Sequence, residues 1–361
     1  MSRQEIRRIY RTARDEDLPE TFKLTIGDKV YDYSKVQWKI EGKMRGLRYG
    51  TNPHQQAALY RPRSSKAGIG NVNWAKWGKD GPSATNIEDG SHGLRITNYF
   101  ERPAFAVMKH LNPSGVAVSR DDDHLNDVYA RARDADPRAA FGSVVVSNCQ
   151  IDKKTAEEIM KSFVEVVYAP AYSSDALSIF ESKRDIRVGE VPAQQRCEPG
   201  TAPDIVVLDD GSAILEDQYR TSIISIEEIK QLSVPTRKRP LEGEYQDLLH
   251  AWWIACEVRS NAVVFWKNGT SLAIGTGQQD RIGAIENSID KAHKLEQSLD
   301  GSVLASDGFL PKLDNVDALA QERVSAIIQP GGSVEDAGIV AACDKHGISM
   351  VFTGERSFRH F

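Results

Sequence analysis

Ala106-Val107-Met108-Lys109, a run of polar turn residues, and then Gly115-Val116-Ala117-Val118 form one stretch of the chain; Val264-Phe265-Trp266-Lys267, Asn268-Gly269 and Leu272-Ala273-Ile274 repeat it 158 residues later. Both read as strand, turn, strand. A second echo follows: Gly142-Ser143-Val144-Val145-Val146-Ser147-Asn148 matches Gly301-Ser302-Val303-Leu304-Ala305-Ser306-Asp307, 159 residues on. A third pairs Val166-Val167-Tyr168-Ala169-Pro170 with Ile327-Ile328-Gln329-Pro330, the prolines 160 residues apart. Three echoes in one order at nearly one offset predict a tandem duplication.

Between the echoes lie stretches with apolar residues at three- and four-residue spacing: Asp123 to Asp134, Lys153 to Phe163, Gln278 to Glu296 and Val334 to His346. That period predicts helices. Short buried strands alternating with such helices make a layered α/β sheet with helices on its faces. Cys197 to Gln231 reads as an insertion, with a strand at Asp204 to Leu208 closed by Asp209-Asp210-Gly211, and β-rich sequence from Thr221 to Ile226. Residues 61–92, rich in Gly, Pro, Ser, Lys and Trp with little periodicity, read as a long surface connection. Pro235 and Pro240 enclose a basic run and mark a boundary. The division expected is an N-terminal arm over 1–45, a first subdomain with its insertion over 46–234 and a second over 235–361. Residues 3–14 within the arm read as a short Arg-rich amphipathic helix, either a packing or dimer contact or an anion-contacting arm.

Composition narrows the function. The 361 residues carry 46 basic and 51 acidic side chains, a net charge of −5, so no global cationic field supports nucleic-acid binding. Apolar runs are too short to cross a bilayer, and Met1 to Arg14, with five arginines, lacks the apolar centre of an export signal. Cys149, Cys197, Cys256 and Cys343 are scattered without a Cys-x-x-Cys pair, which argues against a disulfide framework or a zinc cluster and fits a reducing cytoplasm.

Chemistry concentrates in a few loops. Arg48-Tyr49-Gly50-Thr51-Asn52-Pro53-His54-Gln55-Gln56 packs a guanidinium, a phenol, an imidazole and amides around a glycine and a proline; it is either a capped turn or a ligand loop, with Arg48 as the natural phosphate fork. Lys109-His110-Leu111-Asn112-Pro113 follows an apolar strand at its carboxyl end, the edge where open α/β sheets bind ligands. A cation beside an imidazole tends to keep the ring a neutral base near pH 7, while the lysine faces developing negative charge. The plain alternative is a solvated lysine and a hydrogen-bonded histidine before a turn. Gly275-Thr276-Gly277-Gln278-Gln279-Asp280-Arg281 leads into a helix and offers backbone N–H groups to an anion, but no third glycine completes a dinucleotide fingerprint. Phe309 and Pro311 among carboxylates offer a surface for a flat heterocycle, and Arg356 to Phe361 ends the chain with two guanidiniums and an imidazole between phenylalanines.

Together these segments resemble one family, the transformylase part of the bifunctional purine-biosynthesis enzyme aminoimidazole carboxamide ribonucleotide (AICAR) formyltransferase/IMP cyclohydrolase. The resemblance runs from about Leu47 to Phe361. It rests on Arg48-Tyr49-Gly50-x-Asn52-Pro53-His54-Gln55, Lys109-His110-x-Asn112-Pro113-x-Gly115, Ala140-Phe141-Gly142, Ser260-Asn261-Ala262, Gly277-Gln278-Gln279-x-Arg281, Ala305-Ser306-Asp307-x-Phe309-x-Pro311, Gln329-Pro330-Gly331-Gly332-Ser333 and Arg356-x-Phe358-x-His360.

The resemblance implies a pair of cytidine-deaminase-like α/β subdomains, and formyl transfer from 10-formyltetrahydrofolate, as co-substrate, to the 5-amino group of AICAR. It implies no zinc, since the His-x-Glu and Pro-Cys-x-x-Cys signature is absent, and it allows a monovalent cation. His110 would take the amine proton and Lys109 would stabilise the oxyanion, with Asn261 and Arg281 holding the carboxamide. Arg48, Tyr49 and Arg356 resemble nucleotide and phosphate contacts, with Phe358 and His360 closing the base pocket. Gly142, Asp307 and Phe309 join the substrate-binding set. Phe309 also faces the folate, alongside Phe141, Ile282, Pro311, Asn315, Gly331 and Gly332, with Asp314 in support. A homodimer with interface active sites is implied. The family's N-terminal cyclohydrolase domain has no counterpart in the roughly 45 residues before the first motif, so a stand-alone transformylase with a separate IMP cyclohydrolase is the expectation. Two other readings are a non-catalytic AICAR-type nucleotide-binding or regulatory homologue, and a formate- and ATP-dependent enzyme. The latter lacks a phosphate cradle of Gly-x-x-x-x-Gly-Lys-[Ser/Thr] type.

Overall fold

The computed structural model describes residues 16–78, 80–192 and 203–360. The predicted helix over 3–14 and Cys197 lie outside the described residues. In chain order the strands that matter here are β1 (Asn73–Lys76), β2 (Ala104–Lys109), β3 (Asn112–Val118), β4 (Ser143–Ser147), β5 (Val164–Ala169), β6 (Arg187–Glu190), β7 (Val263–Lys267), β8 (Thr270–Gly275), β9 (Val303–Ser306), β10 (Ala326–Gln329) and β11 (Ser349–Phe352). The helices are α1 (Ala84–Thr97), α2 (Leu125–Asp134), α3 (Lys153–Ile159), α4 (Ser174–Glu181), α5 (Ile226–Gln231), α6 (Glu242–Ala255), α7 (Arg281–Lys294), α8 (Leu313–Gln321) and α9 (Asp336–His346).

The chain forms two compact units, the first from residues up to 111, 123–130 and 138–196, the second from 112–122, 131–137 and 197–361. In the first, the strand order is β2-β4-β5-β6-β1, with β2 antiparallel to β4, then β4, β5 and β6 parallel, and β1 antiparallel at the edge. In the second, the order is β3-β8-β7-β9-β10-β11, with β7 antiparallel to β9 and β9, β10 and β11 parallel. The pattern of one antiparallel step followed by two parallel ones is the same in both. Helix α1 packs on β2 and β4, and α6 packs in the same way on β7 and β9.

The duplication extends to side chains. Lys109 Nζ donates to the Gly142 carbonyl at 2.7 Å, and Gly142 has φ +71°. Lys267 Nζ donates to the Asp300 carbonyl, beside Gly301 at φ +67°. Each lysine at a strand end thus ties down the turn that enters the neighbouring strand.

Apolar residues alternate into the layers as the strand period requires. Phe105, Val107, Val145, Val167 and Phe180 are buried in the first unit. Val263, Phe265, Ile285, Leu304, Val316, Ile327, Ile339 and Met350 form the core of the second. Each such side chain contributes about 1.5–3 kcal/mol on burial.

Two sequence readings need correction. Residues 61–92 are not all connection, because α1 begins at Ala84 behind a capping box made by Ser83 and Asn86. Its helical signal is masked by Gly90 and Gly93, whose missing side chains admit the Tyr168 ring and Val146; a Cβ at either position would lie 2.4–2.5 Å from them. Thr221 to Ile226 is not a strand: Ser225 caps α5, and the Thr221 hydroxyl serves Glu355 and Trp252 Nε1. The proline-bracketed run near 235 lies inside the second unit. Its start is sewn along β11, where Phe352 N–H donates to Ser233 O at 2.9 Å and Met350 N–H donates to Thr236 Oγ1 at 2.9 Å. The expected strand at Asp204 to Leu208 is present as Asp204–Val207; it pairs antiparallel with Ala213–Glu216, a strand not read from the sequence, and Asp210 accepts from Ser212 N–H in the turn between them. No described helix is long and apolar enough to cross a membrane.

Candidate active site

In the first unit, β2 ends at Lys109 and the chain turns through His110 and Leu111, both in the left-handed region at φ +53° and +69°. Non-glycine residues occupy that region at a cost and in need of support. The support is Asp89, on the buried side of α1, whose Oδ1 accepts Leu111 N–H at 2.6 Å. His110 is left exposed at the turn. Lys109 Nζ also donates to Phe141 O at 3.2 Å. A Cβ at Gly142 would stand 3.1 Å from that ammonium, so the glycine leaves the lysine its seat. Phe141, 65% exposed, leans on Phe163 at 5.2 Å between ring centroids. Lys109, His110, Phe141 and Gly142, singled out in the sequence, are therefore brought to one sheet end.

The Arg48–Gln56 loop is a closed turn. Gly50 N–H donates to Gln55 O, Arg48 N–H to Pro82 O and Ala84 N–H to Tyr49 O, which fastens the loop to the N-terminus of α1. Arg48 is buried, its guanidinium 4.6 Å from the Tyr49 ring centroid and donating to Tyr49 Oη at 2.9 Å. Burial, then Arg48, push the neighbouring Arg187 guanidinium down to about 10, and Glu165 opposes them. Glu165 in turn accepts from Asn86 Nδ2 at 3.0 Å. A helix N-terminus with two guanidiniums nearby suits an anion. Asn86, Asp89, Glu165 and Arg187 were not read from the sequence. The available signal was Ser83-x-x-Asn86 followed one turn later by Asp89, the spacing that starts a helix and puts both polar groups on one face.

In the second unit, Asn261 donates from Nδ2 to Gln278 O at 2.7 Å and from its backbone N–H to the same carbonyl at 3.1 Å, across a cis Ser260–Asn261 peptide. Asn112 Oδ1 accepts from Arg259 N–H and from Thr276 Oγ1, each at 2.9 Å, tying the two loops. Arg281 opens α7 behind the Asp280 cap. Its Nη1 donates to Ala262 O at 2.8 Å and is paired with Asp307, which is completely buried and also accepts from Ser260 Oγ at 2.6 Å. Burial lowers the Arg281 pKa, and Asp307 opposes the shift. Asp307 therefore acts through Arg281 and Ser260.

The chain terminus docks on this cluster. Ser357 N–H donates to Asp307 O at 3.0 Å, and Arg359 pairs with the buried Glu257 at 3.2 Å. Phe358 is thereby set 6.1 Å from the His360 ring and 4.5 Å from the Arg356 guanidinium. Gly308 is a glycine because a Cβ there would lie 2.6 Å from Arg281 and 2.7 Å from Phe358. The buried Gln329 Oε1 accepts from Leu310 N–H at 3.3 Å and from Gly331 N–H at 3.2 Å, which joins the Phe309–Pro311 loop to the Gly331-Gly332 turn. Asn315 is buried and donates to Asp314, while Ile282 is half-buried beside Arg281. Among the described residues no cluster of His, Cys, Asp and Glu could hold a metal ion.

Asp89 makes one consequence measurable. Burial pushes its carboxyl up to about 6 against an ordinary 3.8, while the Leu111 N–H, His110 and Lys109 pull the other way. The folded state then binds this proton more tightly than the unfolded chain. Asp89 costs nothing below about pH 4, and stability falls as pH rises from there through about 6. The full cost at pH 8 is at most about 3 kcal/mol. Asp89→Asn should raise the urea midpoint at pH 8 and show no gain near pH 4; an equal shift at both pH values would contradict this.

Fold and site define a duplicated, layered α/β protein with a polar cluster at strand ends in each half. The chain belongs to the AICARFT/IMPCHase bienzyme family, whose model matches residues 10–291. It is 39% identical over 343 residues to the bifunctional purine biosynthesis protein PurH of Magnetococcus marinus, covering 90% of this chain and 60% of that protein. It is 37% identical over 320 residues to PurH of Bacillus cereus, covering 88% and 60%. The chain thus spans about 60% of the length of the curated relatives it matches.

Proposed function

We propose that this protein transfers the formyl group of 10-formyltetrahydrofolate to the 5-amino group of AICAR, giving formyl-AICAR and tetrahydrofolate. The observation that carries the reading is the Lys109–His110 pair on its supported left-handed turn, with Lys109 Nζ held on the Gly142 carbonyl. The acceptor amine is conjugated to its ring and poorly basic. His110 takes its proton as the nitrogen bonds to the formyl carbon. The ammonium of Lys109 faces the oxyanion that forms. Collapse breaks the bond from that carbon to the folate N10, which leaves with the proton that His110 took from the amine. Arg48 and Arg356 take the phosphate, Asn261 and Arg281 the carboxamide, Phe358 and His360 the base; Phe141, Phe309 and Pro311 face the folate.

A homodimer with sites completed by both copies belongs to the same proposal, as do a cytoplasmic location and a monovalent cation. Dimerisation is checked by sedimentation across a dilution series, with specific activity falling as the dimer dissociates. The purified chain, given AICAR and 10-formyltetrahydrofolate, should release tetrahydrofolate and formyl-AICAR in equal amounts. Nucleotide binding without any folate turnover would instead support the non-catalytic reading.

A further inference from the structure

We propose that Asp89 is a positioning residue for the Lys109–His110 pair: its buried carboxylate grips the Leu111 N–H and thereby sets the left-handed turn that presents both side chains. This inference rests on the formyl-transfer reading of that pair. Three observations carry it. The turn places two consecutive non-glycine residues at positive φ, a conformation that persists only where surroundings impose it. The imposing contact is a short one, 2.6 Å from Leu111 N to Asp89 Oδ1, reaching from α1 to the end of β2. The carboxylate is only 4% exposed, in a setting that penalises its charge. A buried acid kept at a loss of stability is what a functional constraint leaves behind.

The charged groups around Asp89 are Lys109 and His110 on the β2 end and Glu88 on its own helix, with the Tyr168 phenol reaching it from β5. Ionised, Asp89 makes a charge-assisted bond to Leu111 N–H. Protonated, it becomes a weaker acceptor. Lys109 holds its own seat on Gly142 and Phe141, so loss of Asp89 acts chiefly through the His110–Leu111 half of the turn.

The test compares Asp89→Asn, which keeps an acceptor oxygen but no charge, with Asp89→Ala, which keeps neither. At pH 8, well below the unfolding temperature, kcat should fall about 10-fold in the first and about 100-fold in the second. The KM for AICAR should stay within about threefold in both. Hydrogen exchange at the Leu111 amide should quicken markedly in Asp89→Ala and little in Asp89→Asn. A urea midpoint for Asp89→Asn at or above the parent's at pH 8 excludes unfolding as the cause of its lower kcat. A kcat within threefold of the parent in Asp89→Ala, or unchanged Leu111 exchange, would overturn the proposal. Should the parent protein itself transfer no formyl group, the functional reading falls, and the exchange comparison alone still decides whether Asp89 sets the turn.

Discussion

On the proposed formyl transfer, Lys109→Ala and His110→Ala should each lower the turnover of AICAR and 10-formyltetrahydrofolate by about 10³-fold, while the dissociation constant for the nucleotide should move by no more than about threefold. The size follows from what each group does. Removal of a single oxyanion donor costs about 10²–10³ in kcat, and a positioned general base contributes about 10²–10⁴. Binding should be largely spared because, Gly142 apart, the groups assigned to the nucleotide lie elsewhere: Arg48 on its loop at the start of α1, and Arg281 and Arg356 in the second unit. Lys109→Ala also frees the Phe141 and Gly142 carbonyls, so its folate KM should rise, whereas that of His110→Ala should not. Steady-state kinetics with calorimetric binding of AICAR separates these outcomes. Full turnover in either variant removes the pair from the chemistry.

Arg281→Ala should lower the unfolding free energy by about 3–5 kcal/mol, because it strands a fully buried Asp307 carboxylate. The damage spreads to the Ser260 hydroxyl on Asp307 and to the Ser357 segment fastened to its backbone, so activity is lost as well. A paired exchange to apolar residues, Arg281→Met with Asp307→Leu, recovers most of the stability, since an ion pair out of water is worth little more than well-packed hydrocarbon. It should not recover turnover, because the guanidinium assigned to the carboxamide is gone and the Ser260 hydroxyl has lost the carboxylate that holds it. Urea unfolding followed by tryptophan fluorescence, read beside the rate assay, distinguishes the two losses. A single variant within about 1 kcal/mol of the parent would show that the pair is hydrated in solution.

The duplicated fold was legible because β2 and β7 are short apolar runs that end in lysine, and each is followed at nearly the same distance by a glycine that leads into the next buried strand. In both halves the lysine donates to the carbonyl just before that glycine, Phe141 O in the first and Asp300 O in the second. Helix α1 was hidden because it packs through glycines against Tyr168 and Val146, which erases the apolar stripe that a helix normally shows. Helix α6 is buried on nearly every side from Tyr245 to Ala255, so it has no amphipathic period to read. The site divides in the same way. Lys109, His110, Asn261 and Arg281 stood out because polar residues directly beside buried strands or opening a helix are conspicuous. Asp89 and Glu165 did not, because a carboxylate inside a helix or strand looks like any solvated acid until the tertiary structure buries it or sets it against Asn86 and Arg187.

The most direct test follows one carbon atom. With 10-formyltetrahydrofolate labelled with carbon-13 in its formyl group, the parent protein should move the label onto the 5-amido nitrogen of the nucleotide, and Lys109→Ala should leave it on the folate. If the label instead appeared as free formate, or reached the nucleotide equally fast with and without the lysine, the assignment of this sheet end to formyl transfer would be wrong.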